Sequence, residues 1–161
     1  MGGTSDFVCG DLGFGNLVPV MIQLRIEDWG AMYEDVTRRA KVEACGLVAG
    51  VGGVSAAVRA IPNIHNSPYR FEMEPSAQVS AQLEFYASGW DLLAIYHSHP
   101  VGDAFPSETD VRAVAYPDVV YLIWARDEHG AWFCRGYWLG TGDIVPVVLG
   151  IVSEHGFPEN V

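Results

Sequence analysis

At 161 residues the chain has room for one domain whose core needs neither a disulfide nor a metal as a staple. Hydrophobic residues make up 50%, charged ones 18%, and the net charge is −11 with only nine basic residues; this is the composition of an ordered globular chain, and it excludes a nucleic-acid surface unless one is built against the overall field. Cys9, Cys45 and Cys134 are odd in number and far apart, which excludes a secreted disulfide framework, and the absence of a basic leader or a run of about 18 apolar residues makes a cytoplasmic protein without membrane contact the expectation.

Residues 1–16, rich in Gly, Ser and Asp, read as a flexible leader, and residues 17–161 as one domain. Residues 17–24 read as a first strand. In residues 27–40, Trp29, Met32, Tyr33 and Val36 recur at three- and four-residue intervals with Asp28 near the start, a helical stripe that should face the core. Residues 45–51 and 54–61 are apolar runs on either side of Gly52 and Gly53 and predict a hairpin, with Glu43 just before its first strand. Residues 69–72 read as another strand. Pro75 then opens a helix to Ala87, with Val79, Leu83, Phe85 and Tyr86 on its apolar face.

Residues 92–96 are an apolar run that reads as a buried strand, and His97 and His99 follow two residues apart. Alternate strand residues share a face, so both imidazoles point the same way. After a loop over 100–106, Ser107-Glu108-Thr109-Asp110 matches a helix start with Ser107 as N-cap. Residues 119–125, 131–139 and 144–152 are strand-like, the first two joined by a turn at 127–130. The expected fold is one α/β domain, a mixed and mostly antiparallel sheet flanked by helices.

Hydrolytic zinc takes three protein ligands from His, Asp or Glu and keeps a fourth position for water. His97, His99 and Asp110 could supply that set, because a loop followed by a helix can bring Asp110 back to the strand end. Such a site lowers the pKa of its water to about 7. It also needs a base to move the water proton and a donor for the developing oxyanion, and Glu43 and Ser107 are the candidates.

His97-Ser98-His99-Pro100, six further residues, Ser107, two more and Asp110 resemble the metal-binding signature of the JAMM or MPN-plus metalloproteases. Glu43-Ala44-Cys45-Gly46-Leu47-Val48-Ala49-Gly50 is similar to the upstream acidic segment of that family, and the likeness runs from about residue 18 to 152. The resemblance implies a cytidine-deaminase-like α/β fold with one zinc per chain on His97, His99 and Asp110. It further implies Glu43 as general acid/base, Ser107 steadying the tetrahedral intermediate, and cleavage of peptide or isopeptide bonds after the C-terminal glycines of ubiquitin-like proteins. Residues 63–71, Asn-Ile-His-Asn-Ser-Pro-Tyr-Arg-Phe, and the compact size are similar to the bacterial branch, which implies a sulfur-carrier protein ending in Gly-Gly as partner. If the carrier's tail adds as a strand beside the site, Phe71, Met73 and the 100–106 loop become the groove candidates.

The same residues have plainer readings. Two histidines can satisfy local hydrogen bonds, Asp110 can stabilise a helix start, Ser107 can be a cap and nothing more, and Glu43 can be a solvated acid. Cys45 is expected to be buried, His65, His129 and His155 solvated, and Trp90, Trp124, Trp132 and Trp138 to serve a core or a homodimer contact. Two other functions compete: a non-catalytic MPN-type scaffold, against which the intact ligands argue, and a zinc deaminase, which lacks its C-x-x-C pair here.

Overall fold

The computed structural model describes residues 21–140 and 142–153. The leader at 1–16, the first residues of the expected opening strand, Cys9 and His155 lie outside them. Strand β1 (Met21–Arg25) runs directly into helix α1 (Ile26–Arg38), whose N-cap Arg25 makes no side-chain cap. Asp28 is not a cap but a buried acid, accepting from Arg25 Nε at 2.8 Å and Ser55 Oγ at 2.6 Å. Met32 and Val36 face inward as the periodicity predicts. Tyr33 does not: it is exposed and meets Trp124 edge-on, with ring centroids 6.1 Å apart.

Strands β2 (Cys45–Val51) and β3 (Val54–Ile61) form the expected hairpin. Gly52 and Gly53 have φ of 58° and 82°, the left-handed pair a two-residue hairpin turn requires. The strand expected at 69–72 is absent; an isolated bridge joins Asn63 to Met73 instead. Asn63 takes the place of a ladder partner. Its Oδ1 accepts the N–H groups of His65 and Glu72 at 3.0 and 3.1 Å, and its Nδ2 donates to the carbonyls of Arg70 and Glu43 at 3.0 and 3.1 Å.

Helix α2 (Pro75–Ala87) starts at Pro75 after Glu74, whose carboxylate accepts from the amides of Ser76 and Ala77. Its inward stripe is Ala81 and Phe85, four residues apart, while Val79, Leu83 and Tyr86 are 54%, 63% and 84% exposed. Of the expected apolar face only Phe85 is buried, and Ala81 with the partly buried Ala77 completes the inward stripe. Alanines at those positions let the helix sit close to the sheet.

Strand β4 (Asp91–His99), helix α3 (Glu108–Arg112), and strands β5 (Val120–Arg126), β6 (Trp132–Trp138) and β7 (Val145–Val152) complete the chain. The strands close in the order β1-β3-β2-β4-β5-β6-β7, with β1 pairing β7. The sheet is mixed, with the β1–β3, β1–β7 and β4–β5 seams parallel and the other four antiparallel, and it closes into a barrel, which the sequence reading did not anticipate. Between β4 and β5 the 100–119 segment is long enough for the crossover that a parallel pair demands.

Alternate side chains separate into two cores. Cys45, Leu47, Ile95 and Ile123 pack with Ala81 and Phe85 of α2, while Val48, Ala94, Tyr96, Leu122 and Trp124 pack with Met32 and Val36 of α1. Trp124 is fully buried, and Trp90, Trp132 and Trp138 are half-buried at the margins. Cys45 and Cys134 are both free. His129 is exposed as expected, and His65 is half-buried at the surface with its Nε2 3.0 Å from Glu72 Oε2. Among the described residues no helix is long and apolar enough to cross a membrane.

Candidate metal centre

The two histidines leave the end of β4 on its α2 side, both buried. Loop 100–106 then turns back, and Ser107 caps α3 in a reciprocal box. The Ser107 N–H and Oγ each donate to Asp110 Oδ2 at 2.7 Å, and the Asp110 N–H donates to Ser107 Oγ at 3.2 Å. This box aims the carboxylate at the histidines, leaving its side chain 8% exposed. His97 Nε2 and His99 Nε2 are 2.9 Å apart, His97 Nε2 lies 3.2 Å from Asp110 Oδ1, and His99 Nε2 lies 3.4 Å from Asp110 Oδ2.

Around a tetrahedral ion with bonds of 2.0–2.1 Å, ligand atoms sit roughly 3.3 Å apart, so these three separations fit a zinc-sized ion. Tautomers support the same use. His99 Nδ1 is 2.7 Å from the Asp103 carbonyl, which accepts only, so Nδ1 carries the proton and Nε2 is free to bind. His97 has no such anchor: its Nδ1 is buried without a hydrogen-bond partner. The ring is fixed by stacking on Phe71, with centroids 4.6 Å apart and planes at 25°.

Electrostatics follow from burial and proximity. Burial pushes the Asp110 carboxyl up, but the hydrogen bonds from His97, His99 and Ser107 outweigh it and hold the group well below the usual carboxylate range. Burial dominates at His97 and lowers its pKa; at His99 the bonds to Asp110 and Asp103 overcome burial and raise it. Glu43 is buried before β2, and its carboxyl is pushed up to about 7, by burial first, with His99 pulling down and Asp110 pushing up. Such a group can both accept and release a proton at neutral pH.

Glu43 is held by its backbone. Its N–H donates to the Ser67 carbonyl at 2.8 Å, and its carbonyl accepts from Asn63. Ser98, between the two histidines but on the opposite face of β4, accepts from the Ala44 N–H through Oγ at 2.8 Å and donates its own N–H to the Ala44 carbonyl at 2.9 Å. Ser98 and Asn63, which the sequence reading did not single out, hold the backbone that carries Glu43. A serine between buried strand histidines was the available signal for the first.

A cavity of about 230 Å³ opens beside His97 and Asp110, lined by Phe71, Met73, Ile95, Tyr116 and Tyr121 among others. Phe71 and Met73 are therefore brought to the site. The 100–106 loop is not part of that lining. Cys45 is buried as expected, and burial pushes its thiol up to about 12, which removes it as a nucleophile.

A strand-end histidine pair and an aspartate returned by a capped helix form a group that could hold a metal ion, with a buried glutamate upstream. Residues 27–135 match the family described as prokaryotic homologues of the JAB domain. The chain belongs to that family, the bacterial branch of the JAMM/MPN proteins, and is a hydrolase of peptide or isopeptide bonds. It is 29% identical over 138 residues to a CysO-cysteine peptidase of Mycobacterium tuberculosis, covering 84% of this chain and 94% of that one. It is also 38% identical over 113 residues to a probable TtuB-protein conjugate cleaving protease of Thermus thermophilus, covering 70% and 72%. Among solved structures, a Desulfitobacterium hafniense protein aligns with a TM-score of 0.72 at 29% identity, covering 84% of this chain and 97% of that one.

Proposed function

We propose that this chain, with residues 17–161 acting as one cytoplasmic domain, is a zinc metallopeptidase that hydrolyses the amide bond after the C-terminal Gly-Gly of a ubiquitin-like or sulfur-carrier protein. The carrying observation is the triangle of His97, His99 and Asp110 donor atoms, 2.9 to 3.4 Å on a side, with a buried Glu43 of pKa about 7 beside it. The names of the Mycobacterium tuberculosis and Thermus thermophilus relatives support a carrier-linked substrate.

His97, His99 and Asp110 would hold one zinc per chain. Bound there, zinc supplies a Lewis acid for the scissile carbonyl and lowers the pKa of a water to about 7. Glu43 takes a proton from the attacking water and delivers it to the leaving amine. The water oxygen ends on the glycyl carbon as the C–N bond breaks. Ser107 orients Asp110 in the resting site and, with its hydroxyl turned toward the carbonyl, steadies the tetrahedral intermediate. Phe71 fixes the His97 ring, and Phe71 and Met73 wall the space where the tail arrives.

The test pairs elemental analysis of the purified protein with cleavage of a ubiquitin-like carrier extended beyond its Gly-Gly. One zinc per chain and release of the carrier are expected. A zinc-replete protein that leaves several such carriers intact would overturn the reading.

A further inference from the structure

Arginines are scarce in this chain, and almost every one is engaged. Arg25 pairs with Asp28, Arg38 and Arg39 with Asp35, Arg59 with Glu84 and Arg112 with Glu108, while Arg126 and Arg135 lie over the rings of Trp132 and Phe133. Arg70 alone, among the described residues, has neither an ion pair nor a ring partner for its guanidinium. It is also the one arginine that lines the cavity beside His97 and Asp110.

The acids nearby are already committed. Glu72 pairs with His65, and Asp110 faces the two histidines. In a chain of net charge −11, a cation without an acid beside the reaction site is a recognition element in want of an anion. Its backbone is also prearranged. The Arg70 carbonyl accepts from Asn63 Nδ2 at 3.0 Å, the same amide group that donates to the Glu43 carbonyl, and the segment is closed by the Asn63–Met73 bridge and by Ile64 N–H donating to the Glu72 carbonyl at 2.9 Å.

Resting on the function proposed above, we infer that Arg70 forms a carboxylate subsite that binds the free α-carboxylate of a single amino acid leaving from the carrier's Gly-Gly terminus. The chemistry of the bond selects this anion. A Gly-Gly tail carries no side chain to read, and its terminal carboxyl is consumed in the scissile amide. The nearest anion is then the α-carboxylate of the leaving residue, present when that residue is the chain end and missing at that position when the leaving amine is a lysine side chain. A cavity of about 230 Å³ suits one leaving residue and leaves the folded carrier outside. Arg70 thereby biases the site toward releasing an amino acid over splitting an isopeptide.

The experiment uses the zinc-loaded full chain and a synthetic peptide ending Gly-Gly-Ala, as free acid and as carboxamide. Wild type should prefer the free acid by roughly ten- to a hundredfold in kcat/KM, the range for a hydrogen bond to a charged group. Arg70→Ala should bring the ratio near one by raising KM for the free acid, Arg70→Lys should restore part of it, and Arg135→Ala, which removes one exposed positive charge, should leave it unchanged. Equal losses for both peptides in Arg70→Ala, as for an arginine that reads the carrier, or an unchanged ratio, would overturn the subsite. Calorimetric binding of both peptides to the Glu43→Gln protein reads the same discrimination without turnover. Discrimination without hydrolysis in wild type refutes the proposed reaction and keeps the subsite; hydrolysis without discrimination does the reverse.

Discussion

Strand β4 shows two ways of burying polar groups, one on each face. On the α1 side, Tyr96 Oη donates to Asp35 at 2.7 Å, Asp35 also takes Arg38 and Arg39, and Arg39 goes on to the carbonyls of Ile61 and Cys45 at 2.8 Å each. Ser98 exchanges two hydrogen bonds with Ala44. Each of these donors has an acceptor, and the network ties α1 to β2, β3 and β4, although Trp124 Nε1, buried in the same core, has no partner. On the α2 side, His97 keeps an unpartnered Nδ1, and two imidazole nitrogens point at each other across 2.9 Å. Satisfied burial holds a fold together; unsatisfied, converging burial waits for a ligand.

Substitutions on the two faces should therefore differ in kind. The largest effect is expected from Asp110→Ala, which removes one corner of the triangle: zinc falls well below one per chain, and carrier cleavage drops by at least about 10³-fold, as the loss of several kcal/mol of charge stabilisation implies. Full zinc occupancy in that variant by elemental analysis would break the contrast. Glu43→Gln should keep the zinc while kcat falls roughly 10²- to 10⁴-fold; unchanged turnover would remove Glu43 from proton transfer.

Stability reads the other face. Tyr96→Phe takes a hydrogen bond from a carboxylate and should cost about 1.5–3 kcal/mol in denaturant titration. In metal-free protein, His97→Leu should cost less than Tyr96→Phe, because the hydrogen bond lost by Asp110 Oδ1 is offset by deletion of a buried nitrogen that has no partner. A loss as large as that of Tyr96→Phe would show that His97 is part of the scaffold. The smallest effect is at Cys45. With its thiol pushed up to about 12, iodoacetamide at pH 8 should leave it unlabelled until the protein is denatured, and rapid labelling of the folded chain, followed by mass spectrometry, would contradict its burial.

Much of this arrangement is written in short-range pattern. The apolar run before His97 sets both imidazoles on one face, the Ser107 to Asp110 spacing encodes a capping box, and paired glycines force the β2–β3 turn. What sequence does not carry is choice of partner. Periodicity makes Val79, Leu83 and Tyr86 as eligible for burial as Ala81 and Phe85, and only packing against the sheet decides which stripe turns inward. Likewise, residues 69–72 have strand composition, but Asn63 spends its amide capacity on that segment, on His65 and on Glu43, and no local rule announces a side chain as the ladder. Closure of the barrel depends on β1 meeting both β3 and β7, contacts far apart in the chain.

That closure has a bearing on how the protein fails. An open sheet displays unpaired N–H and C=O groups along its outer strands even when native, and another chain can dock there. In this ring each strand has a neighbour on both sides, but the seam between β1 and β3 is a single paired position at Gln23 and Val54. Beyond that position the outer edge of β3 has no ladder partner among the described residues, so it is there that the template for self-association is least covered.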